Sequence, residues 1–262
     1  MSYDHKLNKS LVEHAAEFYK QLQTIPDGEI PIIVPTFNLV TYAKFMVNQL
    51  RAYNLDNIII CDNNSTYEPM LEYLDEISKF ERVVRYEENL GPRVYGEGKP
   101  FLSILPEYFI VTDPDLIFNK NLPKNFIDKM IRIINLYGVS KAGFAIDIEE
   151  SKDKFFDYGQ VKSWEQSYWQ TQPRLYQEKD PLYFAPIDTT FCLHKKSALI
   201  SELISYPKGV TSTTALRIAG RFTCEHMGWW KKQPLSEEEL DYYNNSQIWG
   251  STHNEKKKLG FA

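Results

Sequence analysis

Apolar and polar positions fall in blocks along this chain, and the period changes from block to block. "IPIIVPTFN", "NIIICDNNS" and "YFIVTDPDL" are short runs of β-branched and aromatic residues that end in polar turns, as strands buried on both faces do. Between them the spacing becomes helical. Leu11, Ala15, Phe18, Tyr19 and Leu22 share one helical face, Thr41 stands where an N-cap would open a helix running to Ala52, and a further helix is expected over 67–78, before a strand at 82–86. A Gly/Pro-rich loop, "ENLGPRVYGEGKP", then precedes the strand 108–112. Strands alternating with helices predict an α/β fold built from right-handed βαβ units, Rossmann-like, with a mostly parallel central sheet flanked by helices. Ligands of such sheets bind beyond the carboxyl ends of the strands. That rule puts Thr36 to Asn38, Asp62 to Ser65, the loop 89–99 and Asp113 to Asp115 on one rim.

The second half is less regular. A helix over 123–137 and a strand over 141–146 are followed by "YGQVKSWEQSYWQTQPRLY", where aromatics and amides crowd together without a period, as in an irregular segment facing a substrate. "PLYFAPIDTTFCLHKK" reads as one or two strands, and the tail from Ser236 carries "SEEEL" and "NEKKKLG", whose charges read as solvated surface. The length suits one large domain over 1–262, with 30–120 and 121–262 as its two halves.

Composition narrows the classes of function. Lys plus Arg is 30 and Asp plus Glu 35, a net charge of −5, so no general basic field exists to hold a nucleic-acid backbone. No apolar run reaches the ~20 residues of a membrane helix, and the polar start "MSYDHKLNKS" lacks a signal segment. A cytoplasmic protein is expected, with peripheral contact at the inner membrane face left open by the Lys256 to Lys258 run. Cys61, Cys192 and Cys224 are far apart and in apolar settings, which favours buried, reduced thiols over a disulfide or zinc framework.

The chemistry concentrates at Asp113 and Asp115. Two carboxylates one residue apart, straight after a strand and stiffened by Pro114, can both reach the rim and bind a hard cation such as Mn²⁺ or Mg²⁺, which in turn holds phosphates. An ordinary Asp-Pro turn is the alternative.

Taken in order and spacing, "IPIIVPTFN", "IIICDNNST", "NLGPR" and "YFIVTDPDL" resemble the nucleotide-sugar-binding half of a GT-A-fold glycosyltransferase, most similar to glycosyltransferase family 2, over about Ile30 to Asn119. Asp113 and Asp115 fall where that family carries its Asp-X-Asp motif. The resemblance implies a metal-dependent enzyme that transfers a single sugar from a nucleotide diphosphate donor, UDP-sugar favoured, to a glycan or lipid-linked acceptor in surface polysaccharide or glycoconjugate synthesis. It also implies roles for particular residues. Pro35, Thr36 and Asn38 would line the base and ribose, Asp62 would accept from a base N–H, and Arg93 would meet a phosphate. Asp113 would serve the donor as well as the metal, with Asp115 and His226, from "CEHMGWW", completing the shell. Asp188, in "APIDTTF", would be the catalytic base of an inverting transfer, although a retaining course stays open. Trp164, Tyr168 and Trp169 would form an acceptor wall, or else pack on the sheet.

The chain departs from the family in having no Gln-X-X-Arg-Trp signature, which speaks against a processive synthase. Two other readings stay open. A sugar-phosphate nucleotidyltransferase would open with a Gly-rich loop carrying Arg or Lys, which "VPTFNLV" lacks. A non-catalytic nucleotide- or glycan-binding protein could keep the same carboxylates.

Overall fold

A computed structural model describes residues 2–91, 95, 99–149, 153–173, 179–187, 190–205 and 215–246. It is a mixed α/β fold of GT-A, Rossmann-like type, with one nine-stranded sheet ordered β3-β2-β1-β4-β8-β6-β9-β5 and β7 paired to β9. The first strands are β1 (Ile32–Thr36), β2 (Ile58–Asp62), β3 (Arg82–Arg85) and β4 (Tyr108–Val111). They run parallel, and the helices α2 (Val40–Ala52), α3 (Glu68–Ile77) and α4 (Lys99–Ile104) lie between them in the chain. Every residue of β1 and of β2 is buried, which is why both read as unbroken apolar runs.

α1 (Ser2–Leu22) precedes this half, and Phe18 from its apolar face packs on Tyr95 and Phe101. Strand order reverses at β1, whose neighbours are β2 on one side and β4 on the other. Here the sheet opens. β1 pairs β4 only through Ile32 and Ile33, and Thr112 N–H donates to Ile33 O at 3.1 Å. Pro35 faces the same neighbour two residues later, so its missing N–H falls where pairing with β4 has already ended, and proline is tolerated inside a central strand.

Beyond β4 the directions mix. β5 (Leu116–Phe118) and α5 (Phe126–Tyr137) lead to β6 (Lys141–Ile146), and α6 (Tyr158–Gln166) to β7 (Leu182–Phe184). Then come β8 (Cys192–Lys195), α7 (Lys196–Ser205), β9 (Ala215–His226) and α8 (Glu237–Asn245). β8 lies antiparallel to both β4 and β6, so β6 again ends on the rim where β1, β2 and β4 end. α5 stops at Gly138, whose φ of 62° supplies the left-handed C-cap. β9 is long because it serves three partners, with β6 running parallel along one edge and two shorter strands sharing the other. Its first half pairs with β7 and its end with β5, and a register jump from Phe144↔Ile218 to Ala145↔Thr223 marks the bulge between them. The main core gathers one face of the sheet with α2, α3 and α5, and a second cluster buries the other face under α1 and α4.

Three local expectations need correction, and one strand was not foreseen. Thr41 is not an N-cap: α2 opens at Val40 after Leu39, and Thr41 lies inside its first turn. Residues 158–166, expected to be irregular, form α6, capped by the Asp157 carboxylate accepting from Gln160 N–H at 3.0 Å. Leu116–Phe118 is a strand that no expectation covered. "SEEEL" opens α8, and Glu239 within it is buried, not solvated. "NEKKKLG" lies outside the described residues. All three cysteines are free and buried. Among the described residues no helix is long and apolar enough to cross a membrane.

Candidate metal and ligand site

Asp113 and Asp115 follow β4 directly, and what fixes them is the short strand that comes next. β5 pairs antiparallel with the end of β9, setting Leu116 opposite His226, and Met227 N–H donates to Asp115 O at 2.8 Å. The start of one strand and the end of another are thereby locked side by side. One ligand atom each from Asp113, Asp115 and His226 lies within 4.8 Å of the others.

His226 Nδ1 stands 3.2 Å from Asp115 Oδ2, yet it is buried with no hydrogen-bond partner. Trp229 stacks on the imidazole at 4.9 Å between centroids and holds its plane. Gly228 leaves the remaining space: a Cβ there would lie 2.5 Å from Asp115 Oδ2 and 3.0 Å from His226 Cε1. Glu225, next in the strand, points the other way and pairs with Lys154 at 2.6 Å. Two carboxylates and an imidazole form a hard, anionic donor set suited to Mn²⁺ or Mg²⁺.

Around the β1–β4 opening the predicted rim residues separate into groups. Thr36 is buried, and its hydroxyl has no hydrogen-bond partner. Asn38 is wholly buried at φ 55°, and its side chain is committed: Oδ1 accepts from Thr66 N–H (2.7 Å) and Tyr67 N–H (3.0 Å), and Nδ2 donates to Ser246 Oγ (3.1 Å). It ties the loop after β1 to the start of α3 instead of lining open space. Asp62 accepts from Ser65 N–H at 3.1 Å and from the Ser65 hydroxyl, the turn arrangement of an Asx residue. Burial raises its pKa, with the Ser65 bonds and Arg85 working against that shift.

Open space lies just outside these residues. A cavity of about 540 Å³ is lined by Phe37 after β1, by Asn63, Asn64 and Thr66 after β2, by Asn89, and by Tyr242, Asn245 and Ser246 at the end of α8. Nothing in the sequence reading pointed to α8. Ser236-x-x-Glu239 was the available signal, and the Ser236 hydroxyl does cap the helix by accepting from Glu239 N–H at 3.1 Å. The Glu239 side chain instead crosses to α2, where it accepts from Thr41 N–H (2.8 Å) and the Thr41 hydroxyl (2.6 Å).

Tyr42, the next residue of α2, was missed as well. Its hydroxyl is buried with no hydrogen-bond partner, and its ionisation is opposed first by burial and then by the charges of Asp115 and Glu239. It is thus within electrostatic reach of both Asp115 and Glu239.

Arg93 and Asp188 lie outside the described residues. The flanks of Asp188 are held: Ile187 packs on the open face of Gly143, and the Thr190 hydroxyl donates to Phe144 O at 3.0 Å. Pro186 O accepts from Arg217 Nε at 2.8 Å, and Arg217 forms a buried ion pair with Glu165 of α6 at 2.6 Å. Burial raises the Glu165 pKa against the pull of Arg217. Tyr168 lies under the Arg217 guanidinium at 4.2 Å, Trp169 packs on Tyr183 at 5.5 Å, and Trp164 is largely exposed. A second cavity of about 330 Å³, lined by Ile148, Glu149, Gln166, Trp169 and Tyr183, opens beside this cluster.

No protein family matches the chain, and no curated protein does. Solved structures with a similar backbone include S. aureus TarS 1–349 (13% identity, TM-score 0.43, covering 76% of this chain and 60% of that one). GalNAc-T7 with UDP, GalNAc and Mn²⁺ is another (15%, 0.49, 88% and 52%), as is HddC from Yersinia pseudotuberculosis complexed with GMP-PN (10%, 0.42, 81% and 97%). The chain thus spans between half and two thirds of the first two. With identities this low and TM-scores below 0.5, function has to be read from the site itself.

Proposed function

We propose that this chain is a metal-dependent glycosyltransferase that moves one sugar from a nucleotide diphosphate donor, UDP-sugar favoured, to a glycan or lipid-linked acceptor, in one domain over 1–262. The observation that carries this reading is the convergence of Asp113, Asp115 and His226 at the carboxyl ends of the strands, beside the opening between β1 and β4.

The buried, unpartnered His226 Nδ1 and the gap left by Gly228 both fit a cation between these side chains. Mn²⁺ or Mg²⁺ held there would supply positive charge to a leaving diphosphate. The protein's own contributions are read from position for the described residues and from the sequence for Arg93 and Asp188. Asp113 and Asp115 hold their oxygens at the rim, and Trp229 fixes the imidazole plane. In this reading Pro35 and Thr36, at the end of β1, contact the base and ribose, and Asp62, with an oxygen lone pair left beyond its Ser65 bonds, receives a base N–H. Arg93 meets a phosphate oxygen. Asp188, which follows Ile187 in the chain and precedes Thr190, takes the proton of the attacking acceptor hydroxyl, and inversion is the expected course; the support is that both of those neighbours are held. Trp164, Trp169 and the second cavity form the acceptor side, where aromatic faces cover sugar C–H surfaces.

The test is release of nucleoside diphosphate from a panel of nucleotide sugars with mixed glycan and lipid-linked acceptors. Turnover that needs Mn²⁺ or Mg²⁺ and is lost in Asp188→Asn, while donor binding persists, is the expected result. Pyrophosphate release from a nucleoside triphosphate and a sugar phosphate would replace the reading with nucleotidyl transfer. Donor binding without turnover on any acceptor would make the chain a binding protein.

A further inference from the structure

The cavity between the βα loops and α8 has a wall that no motif announces and a lining of one chemical kind. Its eight side chains are amide, hydroxyl or aromatic, and none is charged. A phosphate finds no counter-charge in such a lining. A planar, neutral, amide-bearing ring finds partners: Phe37 and Tyr242 offer faces, Asn64 offers an amide, and Asn63 and Asn89, whose Oδ1 atoms accept from Leu90 and Gly91 N–H, offer their Nδ2 donors. Asn245 Nδ2 is already used on Asp241 O at 2.9 Å, which leaves its Oδ1 as an acceptor.

α8 is also fastened to both loops that make the other walls. Glu239 grips the first turn of α2, Ser246 Oγ accepts from Asn38, and the Tyr242 hydroxyl donates to Thr66 Oγ1 at 2.9 Å while its ring lies 4.8 Å from that of Tyr67. These contacts join residues some two hundred positions apart to the loops after β1 and β2. The wall therefore forms only when α8 is docked.

We propose that α8 completes a nucleobase-binding cavity, with Tyr242 and Asn245 as base-selecting residues and Glu239 as the positioning residue that docks the helix. This rests on the donor reading above and deepens it: the charged end of the ligand lies toward Asp113, Asp115 and His226, and the neutral end lies against α8. Base recognition thus depends on a segment outside the half of the chain that resembles a nucleotide-binding unit.

The experiment is calorimetric titration of UDP, GDP, CDP, ADP and dTDP, with Mn²⁺ present, into the full chain and into Asn245→Ala, Tyr242→Ala and Glu239→Gln, with Mn²⁺ affinity measured separately. Wild type is expected to prefer one base. Asn245→Ala and Tyr242→Ala should each narrow that preference by about tenfold, the worth of one or two hydrogen bonds or a stacked ring, with Mn²⁺ affinity unchanged. Glu239→Gln should weaken all five nucleotides alike, again with Mn²⁺ affinity unchanged, which a general loss of fold would not produce. Wild-type preference that survives in both Asn245→Ala and Tyr242→Ala overturns the α8 assignment and leaves the donor reading standing. Wild type that binds Mn²⁺ but none of the five nucleotides overturns both.

Discussion

At the scale of single residues, the space beside Gly228 governs the candidate metal site. Any Cβ there meets Asp115 Oδ2 and the imidazole of His226, so Gly228→Ala is expected to push the donors apart and weaken Mn²⁺ binding by about 10- to 100-fold, as changes beside a ligand do. The melting temperature should stay near that of wild type. A manganese titration checks this, and an unchanged affinity would mean the donors do not act together. His194 gives a second prediction. It stacks on Phe109 at 4.7 Å between centroids with neither ring nitrogen hydrogen-bonded, and burial first, then Lys141, holds its pKa well below 6.5. The unfolded chain takes up this proton near pH 6.5 and the native one does not. Its contribution is therefore intact above about 6.5 and declines as pH falls below that value. Denaturation midpoints from pH 8 to 5 should fall less steeply in His194→Phe than in wild type, and parallel slopes would contradict this. Asp113 and Asp115 were legible in the sequence because proximity along the chain is proximity in space. Gly228 was not, since its importance comes from what lies across the turn.

At the scale of elements, β1, β2 and α3 were legible to within a residue or two, because their burial is uniform and their ends carry turn residues. The elements that position the site were harder. β5 has three residues, too few to show a period, and its place is set by pairing with β9. α6 begins Tyr-Gly and mixes aromatics with amides, so its helical face shows only through Val161 and Glu165, the latter a charge buried against Arg217. This pair joins α6 to β9 and to the segment before Asp188. Arg217→Met should cost about 3–5 kcal/mol in urea denaturation because it strands a buried carboxylate, and adding Glu165→Leu should recover most of that loss. A single variant as stable as wild type would show that the pair does not hold the elements together. α8 was hidden by its own glutamates. Three acidic residues in a first turn look like solvated surface, but Glu239 is turned inward by Thr41, which no local pattern reveals.

At the scale of the whole molecule, the alternation of period along the first half of the chain determined the parallel part of the sheet, and the opening between β1 and β4 follows from that strand order. The second half returns to the same sheet from the other side, through antiparallel β8 and the three-partner strand β9, whose pairings join residues far apart in sequence. That return brings His226 to Asp115 and α8 to the loops after β1 and β2. The site is therefore made by chain closure across both halves, and a ligand bound there should stabilise the fold as one unit. The most direct measurement is the melting temperature of wild type and of Asp115→Ala with UDP, GDP, CDP, ADP and dTDP, each with and without Mn²⁺. A ligand at one hundred times its Kd adds about 2.7 kcal/mol to the native state. The account predicts a rise for one nucleotide, only with Mn²⁺ and only in wild type. An equal rise in Asp115→Ala, or no rise with any nucleotide, would contradict it and leave Asp113 to Asp115 an ordinary turn.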